Sequence, residues 1–221
     1  MDRLQNEAIR KSRVKLKSII KAVLPPKHPN GNCTVLFDDG GAMKLLPQVV
    51  ADRGLGPGVE LDDAALSALE AANGAASAKR RAVRIISAAG VSKQDLEQRL
   101  TQKGERPEDA KNAVAWLEEL ELLDDAETAR QIVARGVSRG YGMERIKQML
   151  YAKRIPKAYW EEALATVPDM RDALHDFLRK RLGEEPDEKT VRSATQAAIR
   201  RGYPWAEVRS ALESLRQDVE D

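Results

Sequence analysis

The chain has 221 residues, 42% of them hydrophobic and 33% charged, and a net charge of +2, a balance that fits one or two folded domains and argues against disorder throughout. Cys33 is the only cysteine, which excludes an intrachain disulfide and a cysteine-rich zinc site and is compatible with a reducing cytoplasm. No uncharged apolar run of about 18 residues occurs and the N-terminus lacks the apolar core of a signal peptide, so neither membrane insertion nor export is expected. Aromatic residues make up only 4%, and an apolar content built on Ala, Leu, Val and Ile suits helix packing better than a large sheet sandwich.

The near-neutral total hides a basic start. Residues 1–28 carry Arg3, Arg10, Lys11, Arg13, Lys15, Lys17, Lys21 and Lys27 against Asp2 and Glu7, which is +6 and leaves −4 for the rest. Residues 1–16 read as an arm: either a solvated chain end, or a DNA-binding segment in which Arg10, Lys11, Arg13, Lys15 and the adjoining Lys17 neutralise phosphates without reading sequence. No aromatic residue is interleaved there for base stacking.

Residues 17–77 differ in character from the remainder of the chain. Lys17 to Leu24 and Asn32 to Phe37 are strand-like, separated by the loop Pro25-Pro26-Lys27-His28-Pro29-Asn30-Gly31. Asp38-Asp39-Gly40-Gly41 reads as a hairpin turn and Ala42 to Leu46 as the return strand, giving a small three-stranded sheet. Gln48 to Arg53 predicts one helical turn, ended by the glycines of 54–58, and Asp62 or Asp63 caps a helix from Ala64 to about Ala72. Asn73-Gly74-Ala75-Ala76-Ser77 has the small, polar composition of a hinge.

From Ala78 to the end the pattern is helical and repeats. Lys103 to Leu117, Lys153 to Val167 and Arg201 to Leu215 superpose without gaps at offsets of 50 and 48 residues, with columns Lys103/Lys153/Arg201, Ala113/Ala163/Ala211, Val114/Leu164/Leu212 and Leu117/Val167/Leu215. The last three columns are spaced i, i+1, i+4, one apolar stripe on a helix face. A module this small cannot bury its own stripe, so neighbours must stack. Gly90 ends one helix and Ser92 with Asp95 opens the next as an approximate capping box; Pro107, Asp124-Asp125, Gly140 with Gly142, Pro156, Pro186-Asp187 and Pro204 punctuate the rest. The expected fold is mainly α: three tandem three-helix modules at 78–123, 124–168 and 169–221, in an elongated array of nine helices behind the small β-containing domain.

Asp124-Asp125, Arg135, Gly140-Tyr141-Gly142, Arg145-Ile146, Leu150, Lys153-Arg154-Ile155, Ala163-Leu164 and Arg201-Gly202-Tyr203, in that order, resemble the RecX family of bacterial regulators of the RecA recombinase. The resemblance covers about residues 78–216. It departs at Arg154, where the family usually has glycine, and at Ser92-Lys93, where it favours arginine-serine. Residues 17–69 also resemble, more distantly, the β-containing segment that some members carry before the helices. The resemblance implies an elongated three-module protein that lies along the RecA nucleoprotein filament and inhibits strand exchange and RecA's ATPase by binding, without covalent chemistry; no cofactor is expected, and the polar end at 216–221 suits a monomer.

No catalytic constellation opposes that implication. His28 and His175 are the only histidines and neither has a nucleophile or ligand set at useful spacing. Gly54, Gly56 and Gly58 are interrupted by Pro57 and lack a βαβ frame, and no P-loop occurs. The paired aspartates sit where turns and helix starts favour carboxylates. Trp116 and Trp160 read as packing residues; Trp205 reads the same way, with an interface anchor as the alternative.

The middle module carries Arg130, Arg135, Arg139, Arg145, Lys147, Lys153, Arg154 and Lys157 against Asp124, Asp125, Glu127 and Glu144 between 124 and 160, which is +4. Arg135 and Arg139 stand at i, i+4 and point the same way. Such a surface is either an ordinary solvated helix face or a stripe that meets phosphate or an acidic protein groove. On the second reading Arg130, Arg135, Arg139, Arg145, Lys147, Lys153 and Arg154 contact the RecA filament or DNA. A weak, sequence-independent binder of single- or double-stranded DNA with no recombinase partner is the alternative in another class.

Overall fold

Alternation sets the first part of the fold. In strand β2 (Cys33–Phe37) the residues Cys33, Val35 and Phe37 are buried and the two between them are not, the period of two of a sheet with one face on a core. The computed structural model describes residues 17–88, 90–183 and 186–220. β1 (Ser18–Leu24) pairs antiparallel with β2, and β2 with β3 (Ala42–Leu45). The β2–β3 turn is the expected one: Gly40 has φ +87°, and the Gly41 amide donates to the Asp39 carboxylate at 2.7 Å. The sheet has four strands, not three. After the short helix α1 (Pro47–Asp52), β4 (Glu60–Leu61) joins the other edge of β1, giving the order β3-β2-β1-β4. Two residues are too few for an alternation signal; the edge shows in the backbone, where Leu61 and Glu60 pair with Ser18 and Ile19, and Gly58 and Val59 bond to Ile20.

The expected hinge is helix. α2 runs unbroken from Asp63 to Ala88, opened by the Asp62 carboxylate, which accepts the Ala65 amide at 2.8 Å. The small polar residues at 73–77 serve tertiary contacts. The Asn73 side chain accepts the Leu46 amide at 2.8 Å. Gly74 admits the Asp109 carboxylate, which would lie 2.6 Å from a Cβ built there. Ser77 and Arg81 both donate to Glu105, at 3.0 and 2.6 Å. A composition that suits a linker also suits a helix face on which another chain segment lies close. Ile20, Val35, Leu45, Leu46, Val49 and Leu69 form the core of this part, with Ala72 and Ala76 against it.

Eight more helices follow among the described residues: α3 (Lys93–Gln102), α4 (Pro107–Glu119), α5 (Asp125–Ser138), α6 (Met143–Ala152), α7 (Trp160–Leu164), α8 (Arg171–Leu182), α9 (Glu188–Arg200) and α10 (Trp205–Glu220). The third helix of the middle module begins as one 3-10 turn, Lys157–Tyr159. The chain divides into two compact units: the described residues up to Ile85 with Arg99–Ala115, and Ile86–Gln98 with the described residues from Trp116 onward. In the second unit α5 to α7 enclose Ala129, Ile132, Val133, Ile146, Leu150, Ile155 and Ala163. α8 to α10 enclose Leu174, Leu178, Ala194, Ala198, Tyr203, Val208 and Ala211. The alanine column of the repeat, Ala113, Ala163 and Ala211, is buried throughout.

The repeat extends to backbone strain. Gly104, Arg154 and Gly202, equivalent at the same offsets of 50 and 48, all have positive φ: +89°, +53° and +90°. Arg154 therefore keeps the left-handed turn that glycine makes in the other two modules, at a cost of roughly 1–2 kcal/mol for a residue with a Cβ. Its guanidinium lies 3.5 Å from the carboxylate of Asp95, whose side chain is 6% exposed.

The contact between successive modules repeats as well. The Gly142 amide donates to the Arg201 carbonyl at 2.9 Å, and the Glu144 amide to the Gly202 carbonyl at 3.2 Å. A Cβ at Gly142 would lie 2.4 Å from the Gly202 oxygen, and one at Gly202 only 2.2 Å from the Arg145 nitrogen. One module earlier, the equivalent of Gly142 is Ser92 and that of Arg201 is Lys153. There the buried Ser92 hydroxyl donates to the Lys153 carbonyl at 2.7 Å while accepting the Asp95 amide at 3.1 Å. The first-to-second helix turn of each module thus seats on the second-to-third helix turn of the next. Asp125 adds to the earlier contact by accepting the Lys93 amide at 2.9 Å, and burial pushes its carboxyl above the usual carboxylate range.

Two substitution experiments test these contacts. Gly74→Ala forces Asp109 off its bond to Arg106, and a net loss of about 1 kcal/mol is expected in urea unfolding followed by circular dichroism, despite alanine's better helix propensity. The repeat position of Arg154 and Gly202 should respond in opposite ways. Gly202→Ala meets backbone and is expected to cost about 3 kcal/mol or more, whereas Arg154→Gly trades an ion pair for relief of strain and should stay within about 1 kcal/mol of the parent.

Candidate functional site

The cations of the middle module fall into two groups by what they touch. Arg130, on α5, bonds Glu127 at 3.0 Å and Glu162 at 3.1 Å, tying α5 to α7. Lys147 pairs with Glu144 at 2.9 Å within α6, and Arg145 donates to the Gln148 side chain at 3.1 Å. Arg154 is occupied by Asp95. The charge of Arg130, Lys147 and Arg154 is met by a carboxylate and offers a reduced field to a partner, whereas Arg145 is held by a neutral amide. Arg135, Arg139 and Lys153, by contrast, form no side-chain ion pair among the described residues; the two arginines are exposed and Lys153 is half-buried. Arg135 lies in the last turn of α5 and Arg139 caps it, where the helix dipole favours positive charge.

Asp124 caps the N-terminus of α5, accepting the amides of Ala126 at 2.8 Å and Glu127 at 3.1 Å. The Glu127 amide bond above all, with that from Ala126, holds its carboxyl below the usual range. The capping role expected of this aspartate pair is what the geometry has, with Asp125 turned instead to Lys93. Among the described residues no group of three His, Cys, Asp or Glu side chains is placed to hold a metal ion, and no helix is long and apolar enough to cross a membrane.

Of the basic arm, Arg10, Lys11, Arg13 and Lys15 lie outside the described residues. Lys17 pairs with Glu60 of β4 at 2.7 Å, a bond that raises the lysine above its ordinary value.

The arginine in the later Arg201-Gly202-Tyr203 motif has a structural role. Its guanidinium lies 4.3 Å from the Phe177 ring centroid and donates to the carbonyls of Arg139 and Gly140 at 3.2 and 3.4 Å. The Tyr203 hydroxyl also donates to Gly140, at 3.2 Å.

Aromatic positions depart most from the sequence-based expectation. Trp205 is 58% exposed, so it does not pack as expected. Tyr151, which carries no motif, is 75% exposed. Trp160 does pack against the middle core, its indole N–H donating to the Ile155 carbonyl at 2.9 Å, yet it also lines a cleft with Tyr151, Arg154 and Lys157. The signal available in the sequence was the repeat itself: the equivalents of Tyr151 are Thr101 and Ile199, and those of Trp160 are Ala110 and Val208, so neither aromatic is needed to build a module.

Comparison with known proteins agrees with this architecture. Residues 124–164 match the second three-helix domain of RecX. The regulatory protein RecX of Chromohalobacter salexigens is 30% identical over 135 residues, covering 59% of this chain and 88% of that protein. The regulatory protein RecX of Vibrio parahaemolyticus is 28% identical over 145 residues, covering 64% and 94%. Among solved structures, a crystal structure of regulatory protein RecX superposes with a TM-score of 0.61 at 19% identity, covering 89% of this chain and 99% of that one. RecX from Lactobacillus salivarius superposes with a TM-score of 0.55 at 18% identity, covering 66% and 99%. At those identities the two superpositions speak for the fold alone. With the ordered motifs, the triplets of helices and these relatives together, the chain belongs to the RecX family.

Proposed function

We propose that this protein is a cytoplasmic negative regulator of the RecA recombinase, binding the RecA nucleoprotein filament and lowering its ATPase and strand-exchange activity, and thereby modulating recombination, DNA repair and the SOS response. The observation that carries the reading is membership of a family whose curated relatives are named regulatory proteins. The second and third modules, joined by backbone bonds, suit such work, because several weak contacts borne together gain effective concentration.

Within this reading Arg135, Arg139 and Lys153 are the strongest contact candidates, since their side chains form neither an ion pair nor a side-chain hydrogen bond among the described residues. Arg130, Arg145, Lys147 and Arg154 contribute less directly. Their side chains are held by Glu127 and Glu162, Gln148, Glu144 and Asp95. A second reading rests on the same free cations: sequence-independent binding to phosphate, with no recombinase partner, which weakens steeply as salt rises.

The test titrates the protein against RecA ATPase on single-stranded DNA, beside a DNA-only binding control at the same salt. Inhibition at concentrations that leave DNA unoccupied supports direct filament contact. Inhibition only after the protein coats the DNA favours the phosphate reading. The double variant Arg135→Glu with Arg139→Glu should keep its helicity and raise the half-inhibitory concentration about tenfold, from the roughly 1.4 kcal/mol per decade that two reversed contacts readily supply. Unchanged inhibition would reject these two residues as contacts.

A further inference from the structure

The cleft beside the last turn of α6 has a chemistry that neither the fold nor the free arginines account for. It encloses about 380 Å³ and is lined chiefly by Gln94, Tyr151, Arg154, Ile155, Lys157 and Trp160. None of its lining residues is acidic. Tyr151 is 75% exposed although it borders a packed core. Lys157 is exposed and forms no ion pair among the described residues. Arg154 keeps free donors, because its single 3.5 Å contact with Asp95 engages one of five N–H groups. Trp160 is held in place by its bond to the Ile155 carbonyl.

All four of the cationic and aromatic positions are peculiar to this module. Where the middle module has Tyr151, Arg154, Lys157 and Trp160, the first has Thr101, Gly104, Pro107 and Ala110 and the third Ile199, Gly202, Trp205 and Val208. A helix triplet therefore forms without any of them. At position 154 the departure even retains backbone strain, with φ +53°. An exposed aromatic plane flanked by the unpaired Lys157, by the donors that Arg154 keeps beyond its single contact with Asp95, and by an amide is the composition that receives an unpaired nucleobase and its phosphates: the ring stacks, the cations neutralise, and the Gln94 amide both donates and accepts toward a base edge. A duplex keeps its bases stacked inside and offers such a platform nothing but phosphate.

We propose that this cleft is a binding site for single-stranded nucleic acid, with one base stacked on Tyr151 and the adjoining phosphates on Lys157 and Arg154. This site does not rest on the recombinase reading, since its ligand is the strand alone. It supplies the stacking element that the N-terminal arm lacks.

The experiment measures fluorescence anisotropy of a labelled oligothymidylate with the full chain and with Tyr151→Ala, Tyr151→Phe and Lys157→Gln, beside a duplex and an abasic strand of equal length. Tyr151→Ala should weaken oligothymidylate binding on the order of tenfold, with Tyr151→Phe close to the parent, because the ring is what stacks. Lys157→Gln should lower the salt slope by about one. Affinity for the duplex and for the abasic strand should not depend on residue 151. Position 151 is exposed, so circular dichroism is expected to match the parent. Four results overturn the proposal: no binding of oligothymidylate by the parent protein; a Tyr151→Ala variant that binds it as the parent does; an equal loss on the duplex or the abasic strand; or a loss confined to protein partners such as RecA, which would make the cleft a protein-docking site.

Discussion

The seating of one module's turn on the next is the contact on which the rest of the second compact unit depends. At the later joint two backbone amides, Gly142 and Glu144, donate to the carbonyls of Arg201 and Gly202, with no room for a Cβ on either glycine. An amide in the first turn of a helix has no partner within that helix. Here one such amide finds its acceptor in the neighbouring module, so the N-terminus of α6 is satisfied by the repeat. The earlier joint reaches the same end with different atoms, the Ser92 hydroxyl standing where Gly142 offers its amide. Two chemistries at one geometric position indicate that the backbone path is what the repeat preserves.

That constraint also explains the partition of charge. Cations near the joints and between helices are engaged: Arg201 on Phe177 and the carbonyls of the 139–140 turn, Arg154 on Asp95, Arg130 between Glu127 and Glu162. Cations that contribute nothing to the internal contacts, Arg135, Arg139 and Lys157 among them, stand exposed without a counter-ion among the described residues. Exposed ion pairs contribute little to stability, typically under about 1 kcal/mol each. The charge of Arg135, Arg139 and Lys157 is thus left uncompensated within the described residues, whereas that of Arg130, Lys147 and Arg154 is not.

Much of this was legible in the sequence, for a physical reason. A gapless repeat fixes which residues are equivalent, and burial of Ala113, Ala163 and Ala211 follows from their shared stripe. The hairpin was legible because Gly40 supplies a positive φ that few residues adopt. The hinge misled because Asn73, Gly74 and Ser77 have linker composition, while their roles depend on Leu46, Asp109 and Glu105, far away in the chain. β4 was missed because two residues carry no period. For the cations, the sequence shows sign and spacing but not which carboxylate each one meets, so Arg130 and Arg135 look alike until Glu162 is placed. Exposure of Tyr151 and Trp205 is likewise a tertiary property. Of the Arg154 departure, the sequence showed a missing glycine; the structure adds that the left-handed turn survives it.

The turn after α5 is joined to the next module's Arg201-Gly202 turn through backbone hydrogen bonds. Amide hydrogen exchange by nuclear magnetic resonance, read at Gly142 and Glu144 in the unaltered protein, tests this most directly. Both amides should exchange as slowly as those in the buried interior of α5 and α6, because each donates to a carbonyl of the next module. Exchange at the rate of an open loop and a free helix N-terminus, with the interior of α6 still protected, would contradict the account and leave the modules joined by side-chain packing alone.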